Sequence, residues 1–124
     1  MAQYMLLLYD NPAGWAKLSP QDQQKEMRKY QAYGERLREK KLWVSSHKLA
    51  DEPGKVLRNG GGKALVSDGP YSETKEWLGG YYLVEAPNYQ AAVEAARDCP
   101  HWEHGGTIEV REVDARVSAA STKR

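Results

Sequence analysis

Tyr4-Met5-Leu6-Leu7-Leu8-Tyr9 is apolar at every position, and Trp77-Leu78-Gly79-Gly80-Tyr81-Tyr82-Leu83-Val84-Glu85-Ala86 sets Leu78, Tyr82 and Val84 against Tyr81 and Leu83 on alternate sides. Successive side chains of a strand point to opposite faces, so a strand exposed on one side alternates apolar and polar residues, whereas one that does not alternate is covered twice. Asp10-Asn11-Pro12 stops the first stretch with turn-forming residues. Two central strands of one sheet are therefore expected.

Between them, Ser19-Pro20-Gln21-Asp22 combines an N-cap, a proline at the first helical position and an acidic residue in the first turn. The helix that starts there runs to about Lys40, with Met27, Tyr30, Gly34 and Leu37 as its inward stripe. Leu42 to His47 alternates as a strand, with Trp43, Ser45 and His47 on one side and Leu42 and Val44 on the other. Lys55–Asn59 and Lys63–Ser67 flank Gly60-Gly61-Gly62 and form a hairpin, since glycines accept the positive φ of a tight turn. After the second central strand, Asn88 caps a helix with Tyr89, Ala92, Val93 and Ala96 inward, ended by Cys99-Pro100. A last strand, Thr107 to Val113, puts Ile108 and Val110 on one face and Glu109 and Arg111 on the other.

This order is an α+β, ferredoxin-like split βαβ pattern with an inserted β-hairpin. Its helices cover one face of the sheet, and the cheapest cover for the other apolar face is a second copy, so a homodimer is expected. Residues 1–115 make one domain, and 116–124 form a tail with too little apolar area to offset its ordering entropy, expected to be disordered.

The chain has 124 residues with 18 Lys and Arg against 17 Asp and Glu, a formal charge of +1, so no broad positive field points to nucleic acid. Cys99 is the only cysteine, which excludes an intrachain disulfide and suits the reducing cytoplasm. No apolar stretch approaches the roughly 20 residues of a membrane helix, and no membrane partner is expected. No Walker-type loop, dinucleotide fingerprint or Cys/His metal framework occurs, so neither a cofactor nor a metal is expected.

Asp68-Gly69-Pro70-Tyr71-Ser72-Glu73-Thr74-Lys75-Glu76, followed by Leu78-Gly79-Gly80-Tyr81-Tyr82-Leu83, resembles the signature block of the YCII-related, or DGPF, proteins. The likeness takes in the opening strand, the Cys99-Pro100 helix end and Gly105-Gly106-Thr107-Ile108-Glu109-Val110-Arg111, spanning roughly residues 3 to 113. It implies a dimeric α+β barrel, a fold shared with muconolactone isomerases and antibiotic monooxygenases, and an association of some relatives with extracytoplasmic-function sigma factors. Tyr71 stands where the family usually has phenylalanine. The branch of the family proposed as catalytic uses a histidine on the first helix with an aspartate; Pro20 to Lys40 contains no histidine, and Lys29 or Tyr30 lies near that place.

Read as chemistry, the Gly69-Pro70 turn has two open readings. Asp68 caps the turn through backbone amides, or the turn aims Asp68, Tyr71, Glu73 and Lys75 into a cleft at the open sheet face as acid, base and donor. Gly79 and Gly80 inside a strand mark a close approach, by a packed element or by a ligand. Glu109 and Arg111 share a face as an ion pair, or Arg111 binds an anionic substrate. His47 is the candidate for proton transfer. His101-Trp102-Glu103-His104 invites a metal reading, but its place between a proline and two glycines favours an exposed loop, and Cys99 favours packing over nucleophilic chemistry. The functional expectation is acid–base chemistry by Asp68, Glu73, Lys75 and His47 on a small organic acid or aromatic held by Tyr71, Arg111, Gly79 and Gly80 in a dimer cleft. The alternative is a non-catalytic binding or regulatory module tied to sigma-factor-linked transcription.

Overall fold

The computed structural model describes residues 1–71 and 74–117. The expected tail therefore lies, from residue 118 on, outside the described residues, as does Glu73. The two non-alternating stretches form β1 (Ala2–Asp10) and β5 (Trp77–Ala86), paired antiparallel at the centre of a four-stranded sheet. Its edges are β2 (Trp43–Lys48) beside β5 and β6 (Thr107–Glu112) beside β1, giving the order β2-β5-β1-β6. The crossovers are α2 (Pro20–Glu39) and α3 (Tyr89–Arg97), and the β3 (Lys55–Gly60) and β4 (Lys63–Asp68) hairpin is inserted between β2 and β5. This is the expected ferredoxin-like split βαβ arrangement. A short helix, α1 (Pro12–Ala16), was not foreseen; Asn11 caps it by accepting a bond from the Ala13 amide, and Pro12 sits at its first turn. No described helix is long and apolar enough to cross a membrane.

Register divides the sheet into two faces. Tyr4, Leu6 and Leu8 of β1 lie opposite Val84, Tyr82 and Gly80 of β5, and this face packs on both long helices through Tyr33, Leu37, Ala92 and Ala96. Leu6 and Val84 are completely enclosed, and each such side chain contributes about 1.5–3 kcal/mol of transfer free energy. Met5, Leu7 and Tyr9, with Leu83 and Tyr81, turn to the opposite face and stay half-buried.

The inward stripe of α2 is rotated from the expected one. Tyr33, 0% exposed, is its deepest side chain; it donates to the Ala95 carbonyl at 2.8 Å and stands edge-on to Tyr82. Met27 is exposed. Tyr33 is favoured because its ring fills the gap between α3 and the sheet while its hydroxyl finds a main-chain acceptor. On α3 the small residues Ala92 and Ala96 are inward as expected, whereas Tyr89 and Val93 are exposed; Tyr89 instead lies against Tyr4 and accepts a bond from the Glu112 amide at 2.8 Å.

A bulge at Val44 breaks the expected alternation of β2, because Trp43 pairs with Val84 while Ser45 pairs with Leu83. Trp43 is thereby on the helix side, donating to Ser46 Oγ at 3.0 Å under the Arg38 guanidinium, and Ser45 and His47 face the open side. The β3–β4 hairpin turns on Gly61 and Gly62, both at positive φ, with the Asn59 side chain accepting from the Gly62 amide.

Gly34 sits buried on α2, yet a Cβ there would meet nothing closer than 4.0 Å. Gly34→Ala should raise unfolding free energy by about 0.5–1 kcal/mol through lower unfolded-state entropy, measured by urea denaturation; a loss of stability would show that the position is tighter than its geometry indicates.

Candidate functional site

Asp10 ends β1, Lys48 ends β2 and Gly79-Gly80 open β5, so three adjacent strand termini meet at one end of the sheet. Pro12 and Trp15 of α1 and Met27, Tyr30 and Gln31 of α2 close over that end on the helix side. They enclose a cleft of about 320 Å³, with Leu8 and Tyr82 among its apolar walls. Gln23 holds the lid segment, donating to the Trp15 carbonyl at 3.1 Å. The size lies at the small end of the range for organic ligands, roughly 300–1,000 Å³.

At the inner wall stands His101, 5% exposed. Its Nε2 is 2.7 Å from the Tyr9 main-chain carbonyl oxygen, which can only accept, so Nε2 carries the ring proton. Nδ1 of the neutral ring is then an acceptor, and the Tyr30 hydroxyl donates to it at 2.9 Å. Burial, reinforced by acidic neighbours that include Asp10, holds the Tyr30 phenol above its ordinary range, so it is a donor. Gly106 backs the imidazole: a Cβ at that position would lie 2.5 Å from Nε2 and 2.6 Å from Cδ2.

The Asp10 carboxylate borders the same space and has no hydrogen-bond or ion-pair partner among the described residues. At the rim, Lys48 donates to Asp51 at 2.8 Å and to the Leu49 carbonyl at 2.9 Å. Among the described residues no three His, Cys, Asp or Glu side chains are grouped to hold a metal ion. Cys99 is enclosed nearby, and burial pushes its thiol up to about 11, which leaves little thiolate near neutral pH.

The expected site residues divide. His47, Gly79 and Gly80 line the cleft. His47 Nδ1 is 2.8 Å from the Tyr81 hydroxyl on the open side. The bare α-carbon of Gly80 is required by the neighbouring strand, since a Cβ would meet the His47 carbonyl oxygen at 2.8 Å; at Gly79, the extra residue of a bulge against β1, it would come within 3.4 Å of Asp10 Oδ1. Asp68, Tyr71, Lys75 and Arg111 do not line the cleft. Asp68 pairs with Lys55 across the hairpin, Tyr71 is exposed with the Arg58 guanidinium 5.2 Å from its ring, and Lys75 is exposed. Arg111 lies on the open face, 3.6 Å from Glu109, whose other oxygen accepts from Tyr9 at 3.1 Å. Within one chain Asp68, Tyr71, Lys75 and Arg111 therefore do not converge on the cleft, which lies under the helices and not on the open face.

A profile of the YCII-related domain matches residues 2–115. The chain belongs to the YCII-related family. It is also similar to an uncharacterized protein of Rhizobium meliloti (strain 1021), 30% identical over 110 residues that cover 87% of this chain and 89% of the relative. In this YCII-related protein the cleft histidine that meets α2, His101, comes from the segment after α3 and is bonded by Tyr30. The sequence reading missed His101, Tyr30 and Asp10 as a set. Lys29, the other residue near that helical position, pairs with Glu26 at 3.0 Å and does not line the cleft. The expected exposed loop at His101-Trp102-Glu103-His104 is corrected at its first residue: a single 3-10 turn, Trp102–His104, leaves His101 inside.

Because Gly106 touches the imidazole edge, Gly106→Ala should push His101 off the Tyr9 carbonyl and lower stability by about 1–3 kcal/mol, the cost of unpairing a buried polar group. Thermal denaturation and the histidine ring-nitrogen NMR signals check this; an unchanged His101 signal would show that the ring does not depend on Gly106.

Proposed function

We propose that this protein binds a small, largely apolar organic molecule in the Tyr30–His101 cleft and moves a proton on or off it. The observation that carries the reading is the hydrogen-bonded chain from the cleft through Tyr30 Oη to His101 Nδ1, anchored behind by Nε2 on the Tyr9 carbonyl. As a substrate O–H or acidic C–H gives its proton to the Tyr30 oxygen, Tyr30 passes its own to Nδ1. The resulting imidazolium donates from both nitrogens, to Tyr9 and to Tyr30. The reverse sequence returns the proton at another atom, so the pair suits isomerisation of carbonyl compounds or lactones. A positioned acid–base group of this kind contributes about 10²–10⁴-fold in rate.

A screen of small ketones, lactones and phenols for solvent-deuterium incorporation, read by NMR, tests this. Exchange on the best compound should fall about 10²-fold or more in Tyr30→Phe and in His101→Asn, and stay unchanged in Asp68→Asn. Exchange indifferent to Tyr30 and His101 would sink the reading.

We further infer that a second copy covers the open sheet face, where Met5, Leu7 and Leu83 are half-buried without a packed helix. The ion pair of Glu109 and Arg111 lies on that face and would border the interface. The single, buried, unpaired Cys99 suits a cytoplasmic setting. Sedimentation equilibrium at micromolar concentration should give a dimer; a monomer there would remove the basis for this assembly.

A second reading, a binding module, draws on the hairpin, where Leu57, Leu65 and Val66 are exposed. A protein of that kind would show no proton exchange on any compound in the screen.

A further inference from the structure

The cleft of the proposed proton transfer has an electrostatic character of its own, separate from the relay. Its formal charges are Asp10, Asp51 and Lys48, and Lys48 already donates to Asp51 and to a main-chain carbonyl. One carboxylate, Asp10, is left without a partner among the described residues, while the two imidazoles, His47 and His101, are held by tyrosine hydroxyls. Arg111, the residue that the sequence offered for an anionic substrate, is on the other face of the sheet.

Gly79 lies beside Asp10, and a Cβ there would only reach ordinary van der Waals contact with Oδ1, at 3.4 Å. The cleft walls are aromatic or polarizable, from Trp15, Tyr30, Tyr82 and Met27. An unpaired carboxylate needs hydrogen-bond donors or positive charge, and aromatic faces attract cations while repelling anions that approach them. A carboxylate ligand would meet Asp10 as a like charge in a space of reduced dielectric.

We propose that the cleft selects a small ring compound bearing a protonated amine, with the ammonium on Asp10 and the ring between Trp15 and Tyr82. This rests on the cleft being the ligand site, as proposed above, and it replaces the organic acid expected from the sequence by a ligand of opposite charge. The amine end is fixed at the β1 terminus, which leaves the ring and its substituents facing the Tyr30 hydroxyl.

Isothermal titration of the full chain with benzylamine, benzyl alcohol and benzoate separates charge from shape, because the three differ little except at the polar end. Benzylamine should bind at least about tenfold tighter than benzoate, with the alcohol between, and Asp10→Asn should bring benzylamine and benzoate to within about twofold of each other. Equal binding of all three, tighter benzoate, or a preference that survives Asp10→Asn overturns the inference while leaving the cleft as the ligand site. If none of the three binds at about 10 mM, far weaker than the millimolar affinity of a minimal fragment, both the inference and the ligand-site reading fail.

Discussion

The antiparallel pairing of β1 with β5 is the constraint on which the other elements depend. It sets Tyr4 opposite Val84 and Leu6 opposite Tyr82, and that row is the floor on which both helices rest. The hydrogen-bonded ladder alone would be worth little net, since the unfolded backbone is fully bonded to water. A slip of one residue would exchange the enclosed Tyr4, Leu6 and Leu8 for Met5, Leu7 and Tyr9. With both faces apolar, burial against the helices distinguishes the registers less sharply than it would in an alternating strand. Specific features complete the choice: the bulge at Gly79, the fit of Tyr33 between Tyr82 and the Ala95 carbonyl, and the seating of the Tyr9 carbonyl on His101.

The same pairing explains why the site lies where it does. β1 and β5 run in opposite directions, so the last residue of one and the first residues of the other share an end of the sheet, and β2 finishes beside them. The Tyr9 carbonyl bonds a histidine ring in addition to its place in the sheet, which ties the segment after α3 to the first strand. One hydrogen bond thus has two effects: the contact that docks the segment also assigns the proton to Nε2 and leaves Nδ1 for Tyr30.

Element order, the two central strands, the α2 cap and the inserted hairpin were legible because each rests on local chemistry: runs of apolar residues, Ser19-Pro20, Gly61-Gly62. The failures share a different origin. Val44 adds one residue to β2 and reverses the face of Trp43, and nothing in the six-residue alternation reveals a bulge that exists only relative to β5. Tyr33 outcompetes Met27 on α2 because of an acceptor on α3, which is distant in sequence. For the site, Gly80 is the close approach its place in a strand suggests, Gly79 is a bulge residue, and His47 borders the same space. His101 was hidden by neighbours that look like loop, although Gly106, five residues on, is the glycine that its ring requires. A glycine needed for a side chain leaves the same trace in sequence as one needed for a turn.

The hairpin pairs only with itself, yet its roots are not remote. The chain leaves the sheet through Lys48 and Asp51 and returns through Gly79 and Gly80, and all four border the cleft. The two roots are drawn together where the Gly69 amide bonds the Gly54 carbonyl at 2.9 Å. Both covalent connections of the hairpin therefore lead to strands, β2 and β5, whose ends border the cleft.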